Sequence, residues 1–253
     1  QDGLTSKKGE AYLPEAGDWA IGFDATNLTE YIGNLANGGN NNGGLDAAWM
    51  DNHKANNAYE FALMGKKFKD ESTAYRLRAR IGFGSTKQDN IFEATVAPAT
   101  LPSEYTDSDK SSSMNIILGG GIEKRRGNTR VQGFYGAEAM IGFGTSTDKK
   151  EYGIGLSDNY TNGGNTRQTE DKKGTSIMFG ARGFVGVEYF FAPKMSIAAE
   201  YGWGLSFMSQ GEGEITTEKW GLAPGEDVST PDHLVTKTTK SGGNSEFKFD
   251  TDN

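Results

Sequence analysis

The sequence predicts an all-β fold, a transmembrane antiparallel up-and-down β-barrel of about eight strands. Two observations carry this prediction. Seven segments alternate apolar and polar side chains with a period of two, and each has about the 9–11 residues that a tilted strand needs to cross a bilayer. The connections between these segments alternate between short turns and long polar stretches, which is typical of bacterial outer-membrane barrels.

The alternation is clearest between residues 75 and 84, where apolar residues at odd positions alternate with arginine and glycine at even positions. An apolar face opposite a charged, glycine-rich face indicates a strand with two different environments. The other six segments show the same pattern less regularly, and they begin near Asp18, Tyr59, Asn115, Arg130, Ile177 and Ser196.

The connections predict an orientation and a single domain spanning residues 1–253. Short polar turns are expected at 67–72, 124–128 and 191–194, and long polar loops at 34–44, 103–113, 145–174 and 210–244. Short turns face the periplasm in such barrels and long loops face outward, so residues 1–17 form a periplasmic N-terminal segment.

An eighth strand begins near Glu246 and is cut short by the end of the sequence. Because an open strand edge leaves backbone groups unsatisfied in lipid, we expect about ten further residues to complete it in the native protein. The alternative is that residues 4–17 pair with the seventh strand, although Pro14, Glu15 and Gly17 interrupt the alternation there.

Composition excludes several classes of protein. The net charge of −8 disfavours nucleic-acid binding, which needs a basic surface. The absence of cysteine excludes disulfides and thiolate metal sites. Only 35% of residues are hydrophobic, and no apolar run approaches the roughly 18 residues of a transmembrane helix. A barrel needs no such run, because only alternate residues contact lipid.

The orientation of the two faces decides between a membrane barrel and a soluble ligand-binding barrel of lipocalin type, which would place its apolar side chains inside. The density of glycine on the polar face favours a crowded lumen, and aromatic residues near the strand ends favour interfacial girdles. The predicted lipid-facing aromatics are Trp19, Phe23, Tyr75, Phe83, Tyr135, Phe143, Phe179, Tyr189, Tyr201, Trp203 and Phe207.

The opposite face predicts a charged lumen. Lone buried charges are too costly, so we expect arginine–glutamate pairs that close an eight-stranded interior. A narrow gated pathway for ions or small solutes is the alternative. The predicted lumen charges are Asp24, Glu60, Lys66, Arg76, Arg78, Arg80, Glu123, Arg130, Glu138, Arg182, Glu188 and Glu200.

Four stretches, at residues 14–26, 121–127, 188–194 and 200–204, resemble the small outer-membrane β-barrel proteins of Bacteroidetes-type bacteria, with an OmpA/OmpX-like eight-stranded barrel. The resemblance spans the chain but consists of barrel motifs. It implies the fold and a location in the outer membrane of a Gram-negative bacterium. It implies no defined activity and no catalytic residues.

The sequence predicts no enzymatic activity, cofactor or metal. The only histidines, His53 and His233, lie in predicted loops without a serine at a useful spacing. We expect a structural, adhesive or complex-subunit role exerted through the extracellular loops, with a porin-like channel as the alternative and a lipid-modifying enzyme as the remote one. Expected partners are outer-membrane lipid, lipopolysaccharide and a larger outer-membrane protein complex, but not nucleic acid.

Overall fold

The computed structural model describes residues 4–23, 63–93, 103–161, 164–227, 229 and 232–251, and these residues form an all-β structure. None of them belongs to a helix long and apolar enough to span a membrane. The strands are β1 (Trp19–Phe23), β2 (Leu63–Asp70), β3 (Thr73–Glu93), β4 (Glu104–Arg126), β5 (Val131–Glu151), β6 (Arg167–Lys172), β7 (Ser176–Ala192), β8 (Met195–Gln210), β9 (Gly213–Gly221), β10 (His233–Ser241) and β11 (Asn244–Thr251).

All eleven strands belong to one antiparallel sheet in which consecutive long strands are neighbours. The up-and-down arrangement is therefore as predicted, while the number of strands is eleven rather than about eight. β5 pairs with both β6 and β7, and β8 pairs with β7 and β11. Within the described part of the chain, β1 pairs only with β2 and β11 only with β8, so these ladders do not close a complete barrel.

The sheet curls so that its polar face lies inside. Arg76 of β3 is 2.8 Å from Glu200 of β8, and Lys66 of β2 is 3.4 Å from Glu188 of β7, although neither pair of strands is adjacent. The apolar face points outward, and Trp19 at the start of β1 keeps 73% of its surface exposed. This arrangement inverts the usual one of a soluble protein, in which large apolar side chains are buried.

Two of the three short turns lie within the predicted positions and are tighter, whereas the third lies at 127–130 instead of 124–128 because β4 continues to Arg126. β2 and β3 are joined through Glu71 and Ser72, whose backbone N–H and hydroxyl both donate to the Asp70 carboxylate. Between β7 and β8, Lys194 has a φ of 56°, the left-handed conformation that a two-residue hairpin turn requires.

Three of the predicted long loops are wrong in part, because much of their length is strand. Residues 104–113 belong to β4 and 145–151 to β5, while β6, β9 and β10 occupy stretches predicted as loops. Their serine, threonine and charged side chains populate both faces, so they lack the apolar alternation from which strands are read. Backbone pairing satisfies their N–H and C=O groups regardless of side chain. The loop predicted at 34–44 lies outside the described residues.

The breaks between β6 and β7, β8 and β9, and β10 and β11 lie side by side in the sheet, where backbones approach closely around glycines. β6–β9 continues the β7–β8 ladder in unbroken register, from Ser176 opposite Gln210 to Lys172 opposite Glu214. β9–β10 likewise continues β8–β11. A Cβ on Gly174 would lie 2.0 Å from the Gly211 carbonyl oxygen, so only glycine fits at that point.

The N-terminal segment does not add a strand beside β8, as the alternative had it. It runs across the short-turn end of the sheet instead. Gly17 donates to the Phe68 carbonyl at 2.8 Å, and Lys194 donates its backbone N–H to the Tyr12 carbonyl at 3.1 Å. The Lys194 ammonium pairs with Asp18 at 2.9 Å and with Glu15 at 3.2 Å. The segment thus ties the end of β2 to the β7–β8 turn.

Replacing Gly186 by alanine is expected to destabilise the fold by about 1–3 kcal/mol, the usual cost of overpacking. A Cβ there would lie 2.3 Å from the Phe134 ring and 2.6 Å from the Ala199 carbonyl oxygen. Gly133→Ala is the control, because a Cβ at Gly133 has nothing within 4 Å. Urea unfolding in detergent micelles, followed by tryptophan fluorescence, measures both. Equal midpoints for the two variants would contradict the close packing.

The Asp18–Lys194 contact is expected to respond to acid. The Glu15 backbone N–H, and then Lys194, hold the pKa of Asp18 below its usual value of 3.8. Because this pKa is lowered on folding, the contact is complete above pH 3.8 and is lost as the pH falls through the lowered value. NMR titration of the Glu15 amide should therefore give a midpoint below 3.8, and Lys194→Ala should move it upward. A wild-type midpoint at or above 3.8 would contradict this account.

Candidate functional site

A connected set of charged side chains fills the inside of the curled sheet near its short-turn end. At its centre is Glu123 of β4, which has no exposed surface. The Glu123 carboxylate is 2.9 Å from Lys66, 2.5 Å from Arg125 and 3.3 Å from Arg76. These three cations come from β2, β4 and β3, so one carboxylate joins three neighbouring strands.

Glu188 of β7 extends the part of this set that surrounds Glu123, which we call the lower part. Its carboxylate lies 2.7 Å from Arg125 and accepts a hydrogen bond from the Ser196 hydroxyl at 2.5 Å. Arg125 also donates through two guanidinium nitrogens to the Gln132 amide oxygen, at 2.9 and 2.8 Å. The fork geometry of arginine allows it to serve three acceptors from different strands at once.

Arg76 links the lower part to an upper part built on Glu138 and Glu200. Arg76 lies 2.8 Å from each of these carboxylates. Arg182 of β7 pairs with Glu200 at 2.7 Å and with Glu138 at 3.3 Å, and Arg78 of β3 contacts both. We call the nine residues of both parts the interior charge cluster: Lys66, Arg76, Arg78, Glu123, Arg125, Glu138, Arg182, Glu188 and Glu200.

Aromatic rings pack against the cluster and leave it little water. The Arg76 guanidinium lies 4.0 Å from the centre of the Phe184 ring, and the Lys66 ammonium 4.9 Å from that of Phe134. Both rings are almost fully buried. The quadrupole of an aromatic face attracts a cation, and the attraction grows when the pair is desolvated. Farther from the short-turn end of the sheet, Ile117, Met140 and Met178 form a buried apolar layer next to the charges.

The cluster holds five cations and four carboxylates and is therefore close to neutral. Buried charges persist only when they are paired, and here every carboxylate meets at least two cations. The shared pairs lock side chains from β2, β3, β4, β5, β7 and β8 into one arrangement. Chemically, such an arrangement fills and stiffens an interior.

The structure brings together seven of the predicted lumen residues, and Lys66 with them. Arg80 is buried on the same face. Asp24 and Glu60 lie outside the described residues. The predicted members found in the cluster, apart from Lys66, are Arg76, Arg78, Glu123, Glu138, Arg182, Glu188 and, half-buried at its edge, Glu200.

Arg130 is placed differently from its prediction. It precedes β5 in the turn, and its guanidinium stacks at 3.9 Å on the ring of Tyr12 in the N-terminal segment. Arg125, by contrast, was read as part of a turn, yet β4 continues to Arg126 and points Arg125 inward. Its odd position, in phase with Glu123, was the signal in the sequence.

The predicted lipid-facing aromatics all lie on the outer face with exposed side chains. Their exposure ranges from 39% for Tyr189 to 77% for Phe23. Large apolar residues between them, such as Leu77, Leu118 and Leu205, are exposed as well. The outer face of the sheet is thus a continuous apolar surface.

The ends of β3, β4 and β5 that extend past the apolar surface carry a small cleft. It lies on the face of the sheet that is continuous with the interior. Phe92 and Tyr105 stack there with ring centres 5.4 Å apart. The cleft has a volume of about 130 Å³, and Asp109, Lys150 and Tyr152 are among its lining residues. Lys150 and Asp109 already pair at 3.2 Å.

Neither histidine supplies a catalytic arrangement in the described residues. His233 begins β10 and lies 3.6 Å from Glu226, an exposed contact, while His53 lies outside the described part. Among the residues that the structure describes, no three histidine or acidic side chains are grouped as metal ligands would be.

Comparison of the chain with protein-family models, with curated proteins and with solved structures found no significant match in any of the three.

Glu123→Gln is expected to destabilise the protein by about 3–5 kcal/mol, the cost of leaving buried charges without a partner. The exposed Glu214→Gln is the control, with little effect expected. Adding Lys66→Met to Glu123→Gln should recover part of the loss, because one unpaired cation is removed with the carboxylate. Urea unfolding measures all three variants, and equal stability of Glu123→Gln and Glu214→Gln would show that the cluster contributes nothing.

Proposed function

We propose that this chain is an outer-membrane β-barrel with a closed, charged interior, which serves as a structural, adhesive or complex-subunit protein through the parts that project from the membrane. The observation that carries the proposal is the inversion of the two faces. Ion pairs such as Glu123–Arg125 are buried inside, while rows of aromatic and aliphatic side chains are exposed outside. In water, such a surface would be a severe aggregation liability, whereas lipid covers it.

The height of the apolar surface supports a bilayer. On the outer face of β3, the apolar residues run from Tyr75 to Phe83, which is nine residues of strand. A tilted strand crosses the hydrocarbon with about 9–11 residues. Phe83 is paired with Met114, and the next outward row is Ser85, Ser112 and Thr147, so the apolar residues of adjacent strands end at one level.

The number of columns in the sheet also supports a small barrel. Since β6–β9 and β9–β10 continue the β7–β8 and β8–β11 ladders in register, β6 with β7, β8 with β9, and β10 with β11 are consecutive segments of single columns. Counted in this way, the eleven strands make eight columns. Eight is the number at which side chains just fill the interior.

The filled interior favours a structural role over a conducting one. The interior charge cluster connects opposite sides of the sheet, from Arg76 to Glu200, and the layer of Ile117, Met140 and Met178 lies directly outward of it. An ion passing this point would have to separate several buried ion pairs, each of which is costly to break.

The projecting part of the sheet offers the surface for a binding role. From Ser85 to Glu93, β3 extends nine residues past the apolar surface, and β4 and β5 accompany it. At about 3.3 Å per residue and a tilt near 45°, this part rises roughly 20 Å above the membrane. Hydrogen bonds fix some side chains of the polar strand extensions, as in Trp220 of β9, whose indole N–H donates to Asp158 at 2.9 Å. A rigid platform carrying exposed aromatics suits recognition.

The test introduces an arginine at either of two positions on β4 that differ in their distance from the middle of the apolar surface. Leu118 lies at the middle of the apolar surface on β4, and Ser112 lies on the same face in the hydroxyl row. Leu118→Arg is expected to reduce folding into lipid vesicles by about 2–4 kcal/mol, and Ser112→Arg by about 1 kcal/mol or less. Flotation with vesicles and urea unfolding in the bilayer measure the difference. If both variants and the wild-type protein stay in the aqueous phase as monomers, the membrane proposal is wrong.

A further inference from the structure

Three lysines stand side by side on the outer face just beyond the apolar surface. Lys87 of β3 is directly opposite Lys110 of β4, and Lys110 is directly opposite Lys149 of β5. Neighbouring strands are about 4.8 Å apart, so three like charges are held at close spacing on a sheet. Like charges directly opposite each other on adjacent strands destabilise the pairing.

Nearby carboxylates offset only part of this charge. Asp89 lies 3.0 Å from Lys87, and Glu170 lies 2.9 Å from Lys149. Glu170 is also 3.6 Å from a fourth lysine, Lys172, which β6 places opposite Thr147. Among the described residues, no carboxylate lies within ion-pair distance of Lys110. The row is therefore locally cationic in a chain whose net charge is −8.

The rows of residues between the lysines and the apolar surface show where this charge lies relative to the proposed bilayer. Inward of the lysines is the row of Ser85, Ser112 and Thr147, and inward of that the apolar surface begins with Phe83 and Met114. The order apolar, hydroxyl, cation matches the order in a leaflet of acyl chains, carbonyl and sugar groups, and phosphates. Lysines bind phosphate as point charges, and hydroxyls can donate to its remaining oxygens.

We propose that Lys87, Lys110 and Lys149, together with Lys172, bind the phosphate groups of a phosphorylated membrane glycolipid at the outer edge of the apolar surface. The inference rests on the proposed membrane function and names one lipid partner of that surface. Bound phosphate supplies the anions that the row lacks and relieves the repulsion between its lysines. The exposed pair with Asp89 is weak and does not compete strongly, and the single Glu170 carboxylate is shared between Lys149 and Lys172.

The test compares two triple variants of the full chain in mild detergent. Lys87→Ala/Lys110→Ala/Lys149→Ala removes the row, and Lys7→Ala/Lys8→Ala/Lys237→Ala removes the same charge from exposed lysines elsewhere. The probes are diphosphoryl lipid A, the same lipid without phosphates, and inorganic phosphate alone. Native mass spectrometry counts the bound lipid, and titration gives its dissociation constant.

A lysine near an anionic lipid surface contributes about fivefold in affinity, so the row variant should bind diphosphoryl lipid A about 100-fold more weakly than the wild type. The control variant, and a version with arginine at all three row positions, should bind as the wild type does. Dephosphorylated lipid should bind the wild type and the row variant equally weakly, and inorganic phosphate should compete only weakly.

Equal loss in the row and control variants, equal binding of the two lipids, or tight binding of inorganic phosphate alone would each overturn the inference. The last result would indicate a site for free anions. Flotation of the same variants with phosphatidylcholine vesicles separates this failure from that of the proposed function. If the wild type floats but shows no dependence on the row, only the lipid site is wrong; if it does not float, the membrane proposal itself is wrong.

Discussion

The pairing of buried carboxylates with buried cations is the interaction on which the rest of the structure depends. Glu123 meets three cations from β2, β3 and β4, and Glu200 meets three from β3 and β7, and contacts such as Arg76–Glu200 join strands that are not adjacent. They therefore fix the curvature of the sheet as well as its register. A slip of one residue would carry the charges to the outer face and the aromatics to the inside. The cost of an unpaired buried charge opposes such a slip at every strand of the cluster.

The interior also explains the uneven distribution of small and large residues. Arginine side chains with stacked rings such as Phe184 and Phe134 fill much of the space, so positions facing them must be small. Gly136 lies against the Phe184 ring and Gly186 against the Phe134 ring, each within a distance that no Cβ tolerates. The glycines of the polar face are consequently complements of the bulky interior side chains. They are not signs of a loose chain, because a larger residue at Gly136 or Gly186 would overlap its neighbours.

The outer face changes chemistry at a level where the backbone changes too. Gly174, Gly211 and Gly243 lie at the breaks between β6 and β7, β8 and β9, and β10 and β11, close to the row in which apolar residues give way to hydroxyls. Inward of this level, the outer face of the sheet is apolar; outward of it, the same ladders continue with mostly polar residues on both faces. One continuous hydrogen-bonded sheet can thus carry two chemically different outer surfaces, because the backbone pairing is indifferent to what the side chains contact. The lysine row stands at the boundary between the two.

The sequence by itself determined an all-β, antiparallel up-and-down fold, the strand faces and two of the three short turns, since period-two alternation and turn residues are local properties of the chain. Arg76, Glu123 and Glu138 were assigned to the polar face from that alternation alone. What only the tertiary structure decided were contacts between strands remote in sequence: which cation meets which carboxylate, the capture of Arg130 by Tyr12, and the inward place of Arg125. The polar extensions of β3, β4 and β5, and the in-register lysines upon them, were hidden for the same physical reason. A strand with polar residues on both faces has no hydrophobic period, and its pairing is set by neighbouring backbone rather than by its own side chains.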